Sequence, residues 1–243
     1  MMTEAPPLPA HPKLITFDTY GTLIDWDGAL RRYLQSIFDA RGVTVDVTAF
    51  YAHWYLDYAL PALRGDFMIY RELLATTMRQ ACTDASLPID ERELAALGDV
   101  MAAADPFPDT VEVLDELRRH APLATISNSQ RDILEASAHK MGDPFTHQIT
   151  AEVVRAYKPD PALFDLVLDR AGVAPEEVVH IAQSQYVDLP RSVPMGIATI
   201  WINRQGQTLL PEHPAPTLEL PDLRDVPRVL GYATEPAAAR RER

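Results

Sequence analysis

The sequence predicts an α/β fold, a parallel sheet with helices on both faces, interrupted once by a purely helical stretch. Three observations carry this. Short apolar runs recur and each ends on polar residues; from residue 106 onward they alternate with segments of helical spacing; between residues 47 and 98 no strand pattern appears. Repeated β-α units imply parallel strands, because a crossover connection is long enough to hold a helix. Ligands of such sheets bind beyond the carboxyl ends of the strands.

Leu14–Phe17 is an apolar run that stops at an acid and is followed by TYGT, the pattern of a buried strand entering a turn in which Gly21 supplies backbone freedom. Leu30, Leu34, Ile37 and Phe38 share one face of a helix over 28–41. Phe50, Trp54 and Tyr58, then Leu73, Leu74, Met78, Leu94 and Leu97, continue at helical spacing, which makes this region a helical insertion. After PFPD at 106–109 the alternation begins: helix 110–119, strand 123–126 ending at SNS, helix 131–141, a short strand 148–150, helix 161–171, strand Val178–Ala182, and strand 197–202 ending at Asn203. Residues 1–12, rich in Pro and Ala, and the stretch from Thr234 (TEPAAARRER) read as loose tails.

Composition narrows the function classes. A formal net charge of -13 over 243 residues opposes a nucleic-acid surface, which needs a basic footprint. The single cysteine, Cys82, permits no intrachain disulfide and reads as a buried helix residue. The start, MMTEAPPLPAHPK, has an acid and prolines where a signal peptide has a basic start and an apolar run. No apolar stretch approaches the roughly 20 residues that cross a bilayer. These features point to the cytoplasm, with neither membrane nor nucleic acid as partner.

Four groups of polar residues stand just past predicted strands or at helix starts: Asp18, Ser127 with Asn128, Lys158 within AYKPDP, and Gln183 to Asp188. Each alone has a structural explanation, since Ser and Asn cap helices and Asp favours turns. Their shared placement at the carboxyl end of the sheet points to one site.

In these motifs (FDTYGTLIDW, SNS at 127–129, YKPDP at 157–161, and HIAQSQYVD followed by IATIWINR) the chain resembles the haloacid dehalogenase superfamily, in its L-2-haloacid dehalogenase branch. The resemblance runs from about residue 13 to residue 230. It implies a Rossmann-like core over 13–27 and 104–232, with a helical cap over 28–103 inserted after the first strand. It further implies that Asp18 is a nucleophile forming a covalent ester, with Thr22 orienting it and Lys158 keeping its pKa low. Ser127 and Asn128 then bind a substrate carboxylate or phosphate, together with Tyr20, Gln183 and Ser184, and Asp188 positions the hydrolytic water. Relatives are often homodimers.

Which bond is cleaved turns on Tyr20. Phosphatases of the superfamily place a second Asp two residues after the nucleophile, and a phenol of pKa ~10 is a poor proton shuttle. They also carry a Gly-Asp pair where this chain has Gln183-Ser184. Halide departure from carbon needs neither proton donor nor metal, so the resemblance favours a small 2-substituted carboxylate such as an (S)-2-haloacid, with no cofactor. Strained nitrogen rings are a further option. The alternatives are a Mg²⁺-dependent phosphatase using Asp18 and Asp188 as metal ligands, and a binding protein that has lost catalysis. The arginine that receives halide in the family aligns with Pro61, leaving Arg64, one turn later, either as its substitute or, more plainly, as an exposed helix-end residue. A family tyrosine corresponds to Phe164, and a serine and an asparagine of the fourth motif to Gln183 and Gln185.

Other polar and aromatic residues have plainer readings. His180 reads as a satisfied interior histidine and Trp201 as core. Trp54, Tyr55 and Tyr58 either pack the insertion or line a pocket beneath it, and Tyr157 either packs or lines the site. His53, His139, His147 and His213 show no metal spacing.

Overall fold

The chain starts a sheet, leaves it for a helical excursion, and returns to complete it. The computed structural model describes residues 5–232. Strand β1 (Leu14–Phe17) is followed by helices α1 (Trp26–Ala40) and α2 (Val47–Trp54), a π-helical stretch (Tyr55–Ala59), α3 (Leu60–Ala62), α4 (Tyr70–Asp84) and α5 (Glu91–Ala103). The alternating part then runs α6 (Thr110–Leu117), β2 (Leu123–Ser127), α7 (Arg131–Lys140), β3 (His147–Thr150), α8 (Ala151–Val154), α9 (Ala162–Ala171), β4 (Val178–Ala182), α10 (Leu189–Ser192), β5 (Ala198–Ile202), β6 (Leu218–Leu220) and α11 (Val226–Val229). The strands pair in the order β3-β2-β1-β4-β5-β6, every pair parallel. Every residue of β1, β2, β4 and β5 is buried, as strands covered on both faces must be.

Local chemistry fixes the ends of the helical excursion. Asp25 caps α1, its carboxylate accepting from the Gly28 N–H at 3.0 Å, and Leu30, Leu34, Ile37 and Phe38 form the buried face. Asp90 and Glu93 form a reciprocal capping box at the start of α5. The excursion is tied back to the alternating part by Arg71, which bonds Asp132 at 2.7 Å and whose backbone N–H donates to Gln130 Oε1 at 3.0 Å, and by the Tyr157 hydroxyl donating to Met68 O at 2.7 Å. Tyr157 is therefore a packing residue, wedged against Phe67 and Tyr70. Cys82 is buried in α4.

Two differences from the sequence reading concern the edge of the sheet. Strand β6 was not predicted: three residues, with Glu219 exposed, are too short to show an alternation. Residues 5–12 are not a loose tail, because Pro6 O accepts from Thr217 Oγ1 at 2.6 Å and Leu8 packs against the core. The stretch from residue 233 lies outside the described residues.

One buried ion pair locks the end of β5 to the turn after β1. The Arg204 guanidinium bonds both oxygens of Asp109 at 3.0 and 3.1 Å, donates to Thr22 O at 2.9 Å, and lies 4.0 Å over the Phe107 ring. Asp109 also accepts from the Leu223 N–H at 2.8 Å. Removing one partner of such a pair leaves a buried charge uncompensated. Asp109→Ala should therefore destabilise the protein by about 3–5 kcal/mol in urea unfolding. Arg228→Ala, which breaks an exposed pair to Asp225, should cost no more than about 1 kcal/mol.

Candidate active site

From β1 the chain adds strands outward on one side, β2 and then β3, and then crosses to β4 on the other side of β1. A crevice opens at such a switch point, at the carboxyl ends of the two strands where the order reverses. Asp18 is the first residue past β1, and its N–H donates to Ile181 O of β4 at 3.0 Å. The turn that follows needs Gly21: its φ is +89°, and a Cβ there would lie 3.1 Å from the Gln183 side-chain oxygen.

At the centre sits the Lys158 ammonium, fully buried. All three of its protons are used, on Asp18 Oδ1 at 2.8 Å, Asp188 Oδ1 at 2.7 Å and Ile126 O at 2.9 Å. Asn128 fixes the lysine backbone from both sides, its Oδ1 accepting from Lys158 N at 2.6 Å and its amide donating to Lys158 O at 3.2 Å. Thr22 completes the cradle: its hydroxyl donates to Asp18 Oδ2 at 2.8 Å and accepts from Gln183 N at 2.8 Å. Asp18, Lys158, Ser127, Asn128, Gln183, Ser184 and the Tyr20 ring all border one cavity of about 320 Å³. Asp188 lies behind it, bonded to Lys158 and to His180 Nε2 at 3.1 Å, and its Oδ2 has no hydrogen-bond partner among the described residues.

One expectation needs correction. Arg64 is exposed on the turn after α3 and does not border the cavity, and neither does Pro61. Besides Lys158, the cavity wall carries the cation Arg31 of α1, half-buried, with Nε donating to Asp27 O at 3.2 Å and its guanidinium carbon 5.9 Å from the Tyr51 ring. Its terminal nitrogens have no hydrogen bond or ion pair among the described residues. Sequence reasoning passed over Arg31 because it belongs to a run of ordinary helix residues; its i,i+4 spacing from Asp27 was the available signal. His180 is the satisfied interior histidine expected, its two ring nitrogens meeting Thr16 and Asp188.

Most other residues fall as the patterns allowed. Of the aromatic trio, Tyr55 borders the cavity, Trp54 packs against Thr77, and Tyr58 bonds Asp84 at the surface. Trp26 and Tyr51 join Tyr55 in the wall, with ring centroids 6.0 Å apart in each pair with Trp26. The Tyr20 hydroxyl is turned away into α7, donating to Ile133 O at 3.2 Å and meeting Ser137 Oγ at 3.0 Å, and burial raises its pKa. Phe164 packs its edge on the His180 ring at 5.0 Å. Gln185 is structural, holding the 207–210 loop through Gln207, Thr208 and Leu210.

The electrostatics split the two carboxyls. Burial raises the Asp18 pKa, and the adjacent Lys158 ammonium only partly offsets this; the low value expected from the ammonium alone does not result. Burial also acts upward on Asp188, but Lys158 and the His180 hydrogen bond outweigh it and hold that carboxyl below its ordinary value. Lys158 is itself desolvated, yet its two carboxylate partners raise its pKa, so it stays charged. With these directions, Asp18 takes up its proton before Asp188 as pH falls, and a protonated Asp18 cannot attack. A ¹³C-NMR titration of the aspartate carboxyls should show Asp18 protonating above the ordinary value of 3.8 and Asp188 below it. The reverse order would contradict this arrangement.

The sequence model for haloacid dehalogenase-like hydrolases matches residues 12–189. Haloacetate dehalogenase H-2 of Moraxella sp. (strain B) is 29% identical over 201 residues, covering 79% of this chain and 86% of the relative. The (S)-2-haloacid dehalogenase of Xanthobacter autotrophicus is 32% identical over 212 residues, covering 82% of this chain and 78% of the relative. The crystal structure of the L-2-haloacid dehalogenase RSc1362 superposes with a TM-score of 0.82 at 25% identity, covering 91% of this chain and 99% of that one. With its parallel sheet and the lysine-bridged pair of carboxyls at the switch point, the chain belongs to the haloacid dehalogenase-like hydrolases.

Proposed function

We propose that this hydrolase cleaves a carbon–halogen bond of a small 2-substituted carboxylate, an (S)-2-haloacid, through an ester on Asp18. The observation that carries the reading is the Lys158 ammonium seated between Asp18 and Asp188, with Asp18 opening on a cavity. An oxygen of Asp18 attacks C2 from the side opposite the halogen, the C–X bond breaks, and halide leaves with inversion. Water then attacks the ester carbonyl carbon of Asp18, releasing the 2-hydroxy acid. Ser127 and Asn128, at the end of β2, hold the substrate carboxylate. Arg31, with unengaged terminal nitrogens and an aromatic wall beside it, receives the halide. Relatives named for haloacetate and for (S)-2-haloacids support this substrate class. In this reading the helices over 28–103 are the cap that closes the site.

A phosphatase mechanism fits the residues poorly. The Tyr20 phenol is committed to α7 and protonates nothing in the cavity. A magnesium ion needs oxygen ligands, but Lys158 already engages both nearby carboxylates, Gln183 and Ser184 add no charge, and no cluster of three metal-binding side chains exists among the described residues. In this reading the reaction needs no metal.

Two measurements test this. Halide release from (S)-2-haloacids should proceed equally with and without EDTA, while phosphoesters yield no phosphate; phosphate release that EDTA abolishes and Mg²⁺ restores would replace this reading with the phosphatase. Arg31→Met should lower kcat/KM for halide release roughly 10- to 100-fold, the loss of one charge-assisted contact to the leaving anion. Arg64→Met should leave it unchanged.

A further inference from the structure

Behind the reacting carboxylate lies a buried chain of polar groups that the mechanism above does not use. His180 is fully buried in β4. Its Nδ1 lies 2.9 Å from Thr16 Oγ1, on the neighbouring strand β1, and its Nε2 lies 3.1 Å from Asp188 Oδ1. An ionised Asp188 is an acceptor only, so Nε2 carries a proton. In a neutral ring Nδ1 is then an acceptor, and the Thr16 hydroxyl is the donor that satisfies it. The Thr16 proton has a second, longer acceptor in Val179 O at 3.4 Å, and the closer Nδ1 at 2.9 Å is the one this tautomer satisfies.

The consequence falls on Asp188. Its Oδ1 accepts from both Lys158 and His180, which pins the carboxylate plane, while Oδ2 is buried without a partner among the described residues. A buried carboxylate oxygen left unpartnered is costly unless something with a proton to give visits it. Lys158 alone cannot set the plane, because a single bond to Oδ1 leaves the carboxylate free to turn about it. His180 is anchored independently of the nucleophile.

We infer that His180 is a positioning residue for the second half-reaction: through Asp188 Oδ1 it aims Oδ2 at the water that cleaves the Asp18 ester. This rests on the covalent reading of Asp18. In that step the water oxygen bonds to the ester carbonyl carbon as one water proton passes to Asp188 Oδ2. The bond between that carbon and the substrate oxygen breaks, and the proton on Asp188 goes to the departing alkoxide, completing the hydroxy acid. The second water proton is lost to solvent as Asp18 returns to a carboxylate. The first half-reaction transfers no proton and does not call on His180.

The test separates the two half-reactions by rapid quench and intact-protein mass, using an (S)-2-haloacid. His180→Met and His180→Gln match in size, but only glutamine keeps an N–H for Asp188. The methionine variant should form the ester at the wild-type rate within about twofold and hydrolyse it at least about tenfold more slowly. Ester then accumulates on the chain, and kcat and KM fall together. Glutamine should restore much of the hydrolysis rate. Thr16→Val, which leaves the imidazole in place but frees its tautomer, should show a smaller accumulation even if the methionine variant does not fold. Equal slowing of both steps, or no ester accumulation in the methionine and valine variants, overturns the inference while leaving the Asp18 reading intact. A wild-type enzyme that turns over without any transient ester overturns both.

Discussion

The structure depends on one ammonium group buried between two carboxylates. Removing Lys158, Asp18 and Asp188 from water is costly, and their mutual attraction offsets the cost only when geometry is good and every remaining proton is satisfied. Lys158 meets that condition with three short bonds, two to carboxylates and one to a main-chain carbonyl. The triad carries one net negative charge, so it is not neutral. Burial expresses that excess as the raised pKa of Asp18, the carboxyl nearest the cavity. A nucleophile that is easily protonated is also a less stabilised anion, and therefore a more reactive one.

The rest of the site serves to hold that triad in register. Lys158 lies far from Asp18 in sequence, and it reaches the crevice only because Asn128, at the end of β2, clips its backbone. Thr22 links the nucleophile to the loop after β4, and Gly21 lets the chain turn sharply enough to bring it there. Arg204 and Asp109 then brace the outside of the same turn. These contacts draw on the ends of β1, β2, β4 and β5, so the site is as rigid as the sheet.

Much of this was legible in the sequence. Apolar runs marked β1, β2, β4 and β5, because a parallel strand is buried on both faces and tolerates little else, whereas the half-buried β3 was legible only from its place in the alternation. Asp18, Lys158 and Asp188 were legible because each stands beside a structural signal, a strand end or a helix start. What escaped was of two kinds. Strand β6 is held by tertiary pairing to β5 rather than by its own three residues. Arg31, Asp27 and Tyr51 face the cavity from helices whose composition is that of any surface helix, so only the fold reveals which side is inside. Arg64 erred for the same reason: it sits near the right region of the chain, yet its turn points to solvent. His180 is the satisfied interior histidine that its apolar strand predicted, and linear order hides only that Asp188 folds back to satisfy it.

The central claim is that the substrate becomes bonded to Asp18 and that water releases it by attacking that carboxyl. Single turnover of an (S)-2-haloacid in H₂¹⁸O, followed by peptide mapping, tests it most directly. One heavy oxygen is expected in the peptide carrying Asp18, together with an unlabelled first-turnover product. Heavy oxygen in that product, with none in the protein, would mean that water attacks the substrate itself, and would contradict the account.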